Sequence, residues 1–258
     1  MGLILVKEKE GVLLITLSRP DKFNSINREM AMLLQSAFSE AEKNKGIRAV
    51  LLSAEGKAFC AGQDLSEAID PNGPGLKTIV EQHYNPIILA MRNLEKPIVC
   101  AVNGVAAGAG ANLALAADVV IASANASFIQ AFSKIGLIPD SGGTFILPRL
   151  IGFQRALALA MLGEKVTAPE ALQMGMIYKM VNHEALDETA FQMCSVLAKM
   201  PTKALGLTKR LFNRGTEKSL ENQLQLEADL QVEASETDDY QEGVKAFLEK
   251  RKAEFKGA

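Results

Sequence analysis

The chain has 258 residues, 48% of them hydrophobic and 22% charged, with 28 Lys and Arg against 30 Asp and Glu. A chain of this size can bury a substantial core, as one large domain or two small ones. The net charge of −2 argues against a general affinity for nucleic acid or an anionic membrane. No apolar run approaches membrane-spanning length.

The three cysteines, Cys60, Cys100 and Cys194, form no CxxC pair. They read as reduced thiols in a cytoplasmic protein, neither a disulfide framework nor a zinc site. The opening residues, MGLILVKEKE, turn acidic too early for a secretory signal.

Residues 3–9 and 12–18 are β-rich runs on either side of Glu10-Gly11, the pattern of a hairpin. Pro20 bars the second run from continuing as a central strand. A helix is predicted from Asn27 to about Lys45-Gly46, with Met30, Leu33, Leu34, Ala37, Phe38 and Ala41 on one face. Ala49 to Leu52 reads as a buried strand, and Ala54 to Asp64 as a loop. Residues 70–75, DPNGPG, form a dense turn cluster and are expected to be a mobile connection. A helix follows from about Leu76 to Leu94, kinked at Pro86.

Further strands are predicted at 97–102, 119–122 and 178–181, and a loop at 135–144. Helices are predicted at 144–151, 153–162 and 168–174. After residue 184 there are helical patterns at 185–199, 202–213, 219–235 and 238–250 with almost no strand signal. The chain thus divides into a strand-helix core, 1–184, and a helical region, 185–258. It has no exact internal repeat.

The stretch Asn103 to Asp118, NGVAAGAGANLALAAD, follows one of those strands. Glycines 104, 108 and 110 free the backbone, and a segment of high helix propensity takes over. Such a turn directs unpaired N–H groups and the positive end of a helix dipole at an anion. It serves equally well as close packing of helix on strand. There is no P-loop lysine and no GxGxxG fingerprint, so nucleoside triphosphate and dinucleotide readings fail.

Asp140, in Pro139-Asp140-Ser141-Gly142-Gly143, is either a proton-transfer carboxylate or the cap of the next helix. Cys60 would be a nucleophile only if His83 or His183 came near it, and small buried cysteines are usually inert packing. Asp238, Asp239 and Glu242 read as a helix start, not as a metal site.

Four stretches, FCAGQDL at 59–65, the glycine-rich turn at 103–118, GLIPDSGGT at 136–144 and AFLEKR at 246–251, occur in an order that spans nearly the whole chain. Together they resemble the crotonase superfamily, the enoyl-CoA hydratase/isomerase family. HYNP at 83–86, AFSKIGLIPDSGGT at 131–144 and DDYQEGVKAFLEKR at 238–251 resemble in particular its ring-epoxide isomerase branch of phenylacetate degradation.

The resemblance implies an α/β (α+β) fold, a spiral of β-β-α turns with a helical C-terminal region. That region, 185–258, would serve oligomerisation and cover CoA, in homotrimers or dimers of trimers. The substrate would be an acyl-CoA thioester, with CoA part of the substrate, no separate cofactor and no metal. The backbone N–H groups of Gln63, beside Gly62, and Ala109, beside Gly110, would hold the thioester oxygen. Asp140 would move the proton.

The two glutamates of a hydratase fall on Asn112 and Phe132, neither of which transfers protons. Phe132 and Ile138 would line a dry pocket that raises the pKa of Asp140. Asn112 would hold a water or a substrate oxygen near Asp140, or else be a packed helix residue satisfied locally. CoA contacts carried over are Lys22, Ala61, Gly62, Asp64 and Gly110, with Asp64 also expected to tie down its loop. Phe247 and Lys250, three apart on the last helix, would cover the adenine and 3′-phosphate; that helix also reads as ordinarily amphipathic.

The implied activity is isomerisation of acyl-CoA: the 1,2-epoxide of phenylacetyl-CoA to an oxepin, a Δ3-to-Δ2 enoyl shift, or both. The alternatives are an enoyl-CoA hydratase of fatty-acid β-oxidation and a non-catalytic acyl-CoA-binding subunit.

Overall fold

The computed structural model describes residues 2–215 and 219–258. Its strands are β1 (Ile4–Lys9), β2 (Val12–Leu17), β3 (Ala49–Ala54), β4 (Ala58–Cys60), β5 (Ile98–Val102), β6 (Val105–Ala107), β7 (Val119–Ser123), β8 (Ser127–Ile129), β9 (Lys165–Thr167) and β10 (Lys179–Val181). Its core helices are α1 (Arg28–Lys43), α2 (Leu65–Ala68), α3 (Gly75–Thr78), α4 (Asn85–Asn93), α5 (Ala109–Leu115), α6 (Gly143–Ile151), α7 (Phe153–Leu162) and α8 (Ala168–Gln173). Helices α9 (Leu186–Ala198), α10 (Thr202–Gly215), α11 (Leu220–Ser235) and α12 (Asp238–Leu248) make the C-terminal region.

One sheet runs β1-β2-β3-β5-β7-β10 and the other β4-β6-β8-β9. Consecutive strands therefore alternate between the sheets: β3 then β4, β5 then β6, β7 then β8. Each pair is one turn of a spiral, and the next turn stacks on it in parallel. This is the mixed α/β architecture of crotonase-like turns with a helical C-terminal region.

The hairpin forms as expected, because Glu10 and Gly11 both adopt positive φ, 53° and 75°, the turn that matches strand twist. Helix α1 begins where Asn27 accepts the Met30 N–H at 3.0 Å. Its buried face contains Ala31, and Leu33 is 38% exposed, so the assignment of Leu33 to that face is corrected. Four short strands lie where loops or no strand were predicted: β4, β6, β8 and β9. Each has three residues, too few to show a period of two.

Upstream of Pro86 the predicted kink is a π-helical stretch, Ile79–Tyr84, between α3 and α4. The Asn85 N–H there bonds to the Val80 oxygen, one residue further back than in an α-helix. Proline has no N–H and crowds the preceding turn, which accounts for the widening.

The inner parallel strands β3, β5 and β7 of the large sheet are buried on both faces, as strands of parallel sheets are. Val50, Leu52, Ile98, Cys100 and Val102 face the main core. Their neighbours Ala49, Leu51, Val99 and Ala101 pack against Leu186, Ala190, Cys194 and Ala198 of α9. Arg48 ties the C-terminal region on, donating to Thr202 Oγ1, Phe255 O and Met200 O at 2.9, 2.8 and 2.6 Å. Asp239 accepts the N–H groups of Lys256 and Gly257 at 2.6 and 2.7 Å, folding the tail onto α12.

Candidate active site

The site is built where β4 and β6, neighbours in the small sheet, end. Past Cys60 the chain turns at Gly62, φ 92°, and runs beside Ile26. The Ile26 N–H donates to the Gly62 oxygen at 2.8 Å, and the Asp64 N–H donates to the Ile26 oxygen at 3.0 Å. This parallel bridge uses the groups flanking Gln63 and turns the N–H of Gln63 itself away from Ile26.

After β6, Gly108 adopts φ 53° and ψ −127° and begins α5 with no side-chain cap. Among the described residues, neither the Gln63 N–H nor the Ala109 N–H donates to a protein acceptor. The two loops touch: a Cβ at Gly62 would lie 3.4 Å from the Ala109 nitrogen and 2.9 Å from the Ala107 oxygen. Gly110 allows the approach, since a Cβ there would strike the Cys60 carbonyl and come 2.7 Å from its Sγ. Two unpaired amides, one of them at the positive end of a helix, thus stand side by side.

Asp140 is half-buried and accepts the Ser141 hydroxyl at 2.9 Å. It does not cap α6, whose N-cap is Gly142 without a side-chain bond; the capping alternative is corrected. Ser141 and Gly142 both adopt positive φ, 51° and 75°. For serine this backbone carries strain, the cost of turning the carboxyl away from the helix start. Burial raises the Asp140 pKa above the ordinary carboxylate value, partly offset by the Ser141 hydrogen bond.

Phe132 is 6% exposed, and its ring would lie 3.7 Å from a Cβ at Gly108. Ile138 is 81% exposed. Its side chain stands largely in solvent, so in this chain it does not form the dry wall expected of it, and that expectation is corrected.

The two readings of Asn112 resolve into a third. It is 1% exposed, its Nδ2 donates to the Asp140 backbone oxygen at 2.8 Å, and its Oδ1 accepts Gln130 Nε2 at 2.8 Å. Gly143 packs directly on it. Asn112 lies three residues after Ala109 on one helix face, so it braces the Asp140 loop against the donor loop. Asn112→Ala would leave the Gln130 amide unpaired and take one of two hydrogen bonds from the Asp140 carbonyl, which keeps the Gly143 N–H at 2.9 Å, costing about 1–3 kcal/mol. The expected result in denaturant melts and steady-state kinetics is that loss of stability, with kcat falling more than KM rises.

The remaining predicted residues separate. Gly62 and Gly110 lie at the contact just described, whereas Ala61 and Lys22 are on the exposed rim. Asp64 is occupied: Oδ2 pairs with Arg19 at 2.6 Å, and Oδ1 accepts the Ser66 N–H at 3.0 Å to cap α2. It ties down the Gln63 loop, as expected, and its burial is outweighed by these partners so that its pKa falls.

Phe247 is 83% exposed on α12. Lys250 is not on that helix, which ends at Leu248, and its φ of 53° breaks the helical spacing. The common-face argument for Phe247 and Lys250 is corrected accordingly.

Cys60 donates to the Asn24 oxygen at 3.1 Å, and burial pushes its pKa up to about 12. With His183 bonded to Ser123 at 3.2 Å, no activated thiol results. Among the described residues no group of His, Cys, Asp and Glu could hold a metal ion, and no helix is long and apolar enough to cross a membrane.

Residues absent from the sequence reading also shape the site. Arg19 anchors Asp64, Gln130 anchors Asn112, and Glu67 accepts the Gln63 side-chain amide at 3.0 Å. None carries a local pattern that would reveal it. An apolar cleft of about 420 Å³ lies elsewhere, between α4, α6 and α10, lined by Leu115, Phe145, Leu205 and Phe212 among others. Neither the donor loops nor Asp140 line it.

The chain belongs to the enoyl-CoA hydratase/isomerase family, whose model matches residues 7–258, and it is an enzyme acting on CoA thioesters. It is 48% identical over 260 residues to a 1,2-epoxyphenylacetyl-CoA isomerase of Escherichia coli K12, covering 100% of this chain and 99% of the relative. It is 44% identical to a probable enoyl-CoA hydratase of Rhodobacter capsulatus, over 96% of this chain and 95% of that one. A crystal structure of an enoyl-CoA hydratase from Bacillus anthracis superposes with a TM-score of 0.95 at 32% identity, covering 99% of this chain and all of that one.

Proposed function

We propose that the protein is an acyl-CoA isomerase that converts 1,2-epoxyphenylacetyl-CoA to an oxepin-CoA, and that the same parts shift Δ3 enoyl double bonds to Δ2. The observation that carries this reading is the set of proton carriers. Asparagine and phenylalanine stand at 112 and 132, the positions assigned to the hydratase glutamates by resemblance. Asp140 is the nearby carboxyl that has no cationic partner among the described residues and whose pKa is raised. The 48% identity to an isomerase of that name supports the same choice.

In this mechanism the Gln63 and Ala109 N–H groups bind the thioester oxygen. Asp140 takes a proton from the α-carbon, and the C–H electron pair moves onto that oxygen as an enolate. A preorganised donor of this kind contributes about 3–4 kcal/mol in the transition state. The bond shared by the two epoxide carbons opens to expand the ring, and Asp140 returns its proton to a ring carbon. No proton is gained or lost overall, so one carboxyl suffices.

CoA would lie along Lys22, Ala61 and Gly62, with Phe247 and Lys250 covering the adenine end. Exposed Phe212, Leu220, Val232 and Leu248 favour self-association of the 185–258 region, as a trimer or a dimer of trimers. Localisation in the cytoplasm fits the three buried free cysteines.

The test is to offer the protein 1,2-epoxyphenylacetyl-CoA, 3-hexenoyl-CoA and crotonyl-CoA separately. Isomerisation of the first two with only trace hydration of the third is expected. Hydration of crotonyl-CoA as the fastest reaction would replace the isomerase reading with a hydratase one.

A further inference from the structure

Tyr84 closes the π-helical stretch and is 1% exposed, yet its hydroxyl has no hydrogen-bond partner among the described residues. A buried polar group left unpaired costs about 1–3 kcal/mol, and native proteins pair nearly all of them.

The segment that carries Tyr84 lies against the site. The preceding residue, His83, has Nδ1 4.0 Å from Glu67, and Glu67 holds the Gln63 side chain at 3.0 Å. One helical turn after Tyr84, Ile88 packs where a Cβ on Gly142 would come within 3.4 Å of its Cγ2. The segment carrying Tyr84 is therefore seated on the Gln63 loop at one end and on the Asp140 loop at the other. Burial above all, then the fields of Cys60, Asp140, Glu67 and Asp64, hold its pKa well above the ordinary tyrosine value. At neutral pH the phenol stays protonated and so keeps a proton to donate.

We propose that the Tyr84 hydroxyl donates a hydrogen bond to a second oxygen carried on the acyl group of the substrate. An unsubstituted enoyl chain has one oxygen, the thioester carbonyl, and the Gln63 and Ala109 amides already serve it. A third donor at this place, free of protein partners, matches an acyl group bearing an epoxide or ether oxygen. The hydrogen bond holds that oxygen and selects for its presence; no proton leaves the phenol. This assignment rests on the proposed placement of the acyl group between the two loops, and it names the acyl class that the site prefers.

Tyr84→Phe removes the donor and keeps the packing, and it should melt at or above the wild-type temperature because it deletes an unpaired buried hydroxyl. With 1,2-epoxyphenylacetyl-CoA its kcat/KM is expected to fall about 10–100-fold. With 3-hexenoyl-CoA the change should stay within about threefold. An equal fall on both substrates would make Tyr84 a support of Asp140 and overturn the proposal, as would no fall on either.

A binding measurement separates this proposal from the isomerase reading. Phenoxyacetyl-CoA and 3-phenylpropionyl-CoA differ by one ether oxygen in place of a methylene. Tyr84→Phe should weaken the first at least about tenfold and leave the second unchanged. If wild-type protein turns over neither substrate but shows this selective loss, the isomerase reading falls and the Tyr84 assignment stands. Normal wild-type turnover without the selective loss has the opposite meaning.

Discussion

Asp140→Asn is expected to lose about 1,000-fold in kcat on 3-hexenoyl-CoA and on the epoxide while becoming more stable at neutral pH. The first effect follows from removing the group that carries the proton, and the second from the burial of that carboxyl. Burial raises its pKa above the ordinary 3.8, so between the unfolded and folded values the native state holds more protons than the unfolded chain. Stability then falls as pH rises through that interval, and the penalty is fully in force above the folded value.

Asparagine carries no such penalty and still accepts the Ser141 hydroxyl, whose 2.9 Å bond it inherits. Thermal melts at a series of pH values should show the variant above wild type at pH 7, with the gap closing towards pH 3.8, the ordinary value. In wild type the acid limb of kcat/KM should fall at a higher pH than an ordinary aspartate would give. Retained isomerisation in Asp140→Asn would remove this carboxyl from the chemistry. A variant less stable than wild type at pH 7 would contradict the burial argument.

Gly62→Ala is expected to cost about 100- to 1,000-fold in kcat, with a loss of stability of about 1–2 kcal/mol from backbone strain alone. Two effects meet at this position. The φ of 92° is one that side chains rarely adopt, and the added methyl would lie 2.9 Å from the Ala107 oxygen. Relief of that contact must separate the Gln63 loop from the start of α5, which is the separation that matters for two donors acting on one oxygen. Gly75→Ala is the control, with a φ of 75° and nothing within 4 Å of the added carbon. It should show the strain in denaturant melts and leave kcat untouched. Equal kcat for the two variants would mean that the approach of the loops has no part in the reaction.

Much of the frame is visible along the chain because it is encoded locally. The alternation before and after Glu10-Gly11, the Asn27 cap and the three-four spacing of Met30, Leu34, Phe38 and Ala41 depend on neighbours within a few residues. The long C-terminal helices are legible for the same reason. Leu33 fits the same spacing and is nonetheless exposed, because the packed face takes in Ala31 instead. The three-residue strands β4, β6, β8 and β9 have no local signature. They exist because successive turns of the spiral stack and pair with segments tens of residues away.

The site divides in the same way. Gly62, Gly110 and Asp140 stand out in sequence through their glycine context, and the resemblance supplied roles for them. What the sequence by itself determined is therefore the strand-helix order, the glycine-rich turn and the absence of glutamate at 112 and 132. Only the tertiary structure decided that Asn112 braces the Asp140 loop, that Arg19 and Ser66 occupy Asp64, that Lys250 leaves its helix and that the Tyr84 hydroxyl is buried without a partner. The physical reason is range. Helix spacing, caps and turns act over a few residues, whereas hydrogen bonds spanning 18 to 45 positions, such as Gln130 to Asn112 and Arg19 to Asp64, come into being only when the spiral closes.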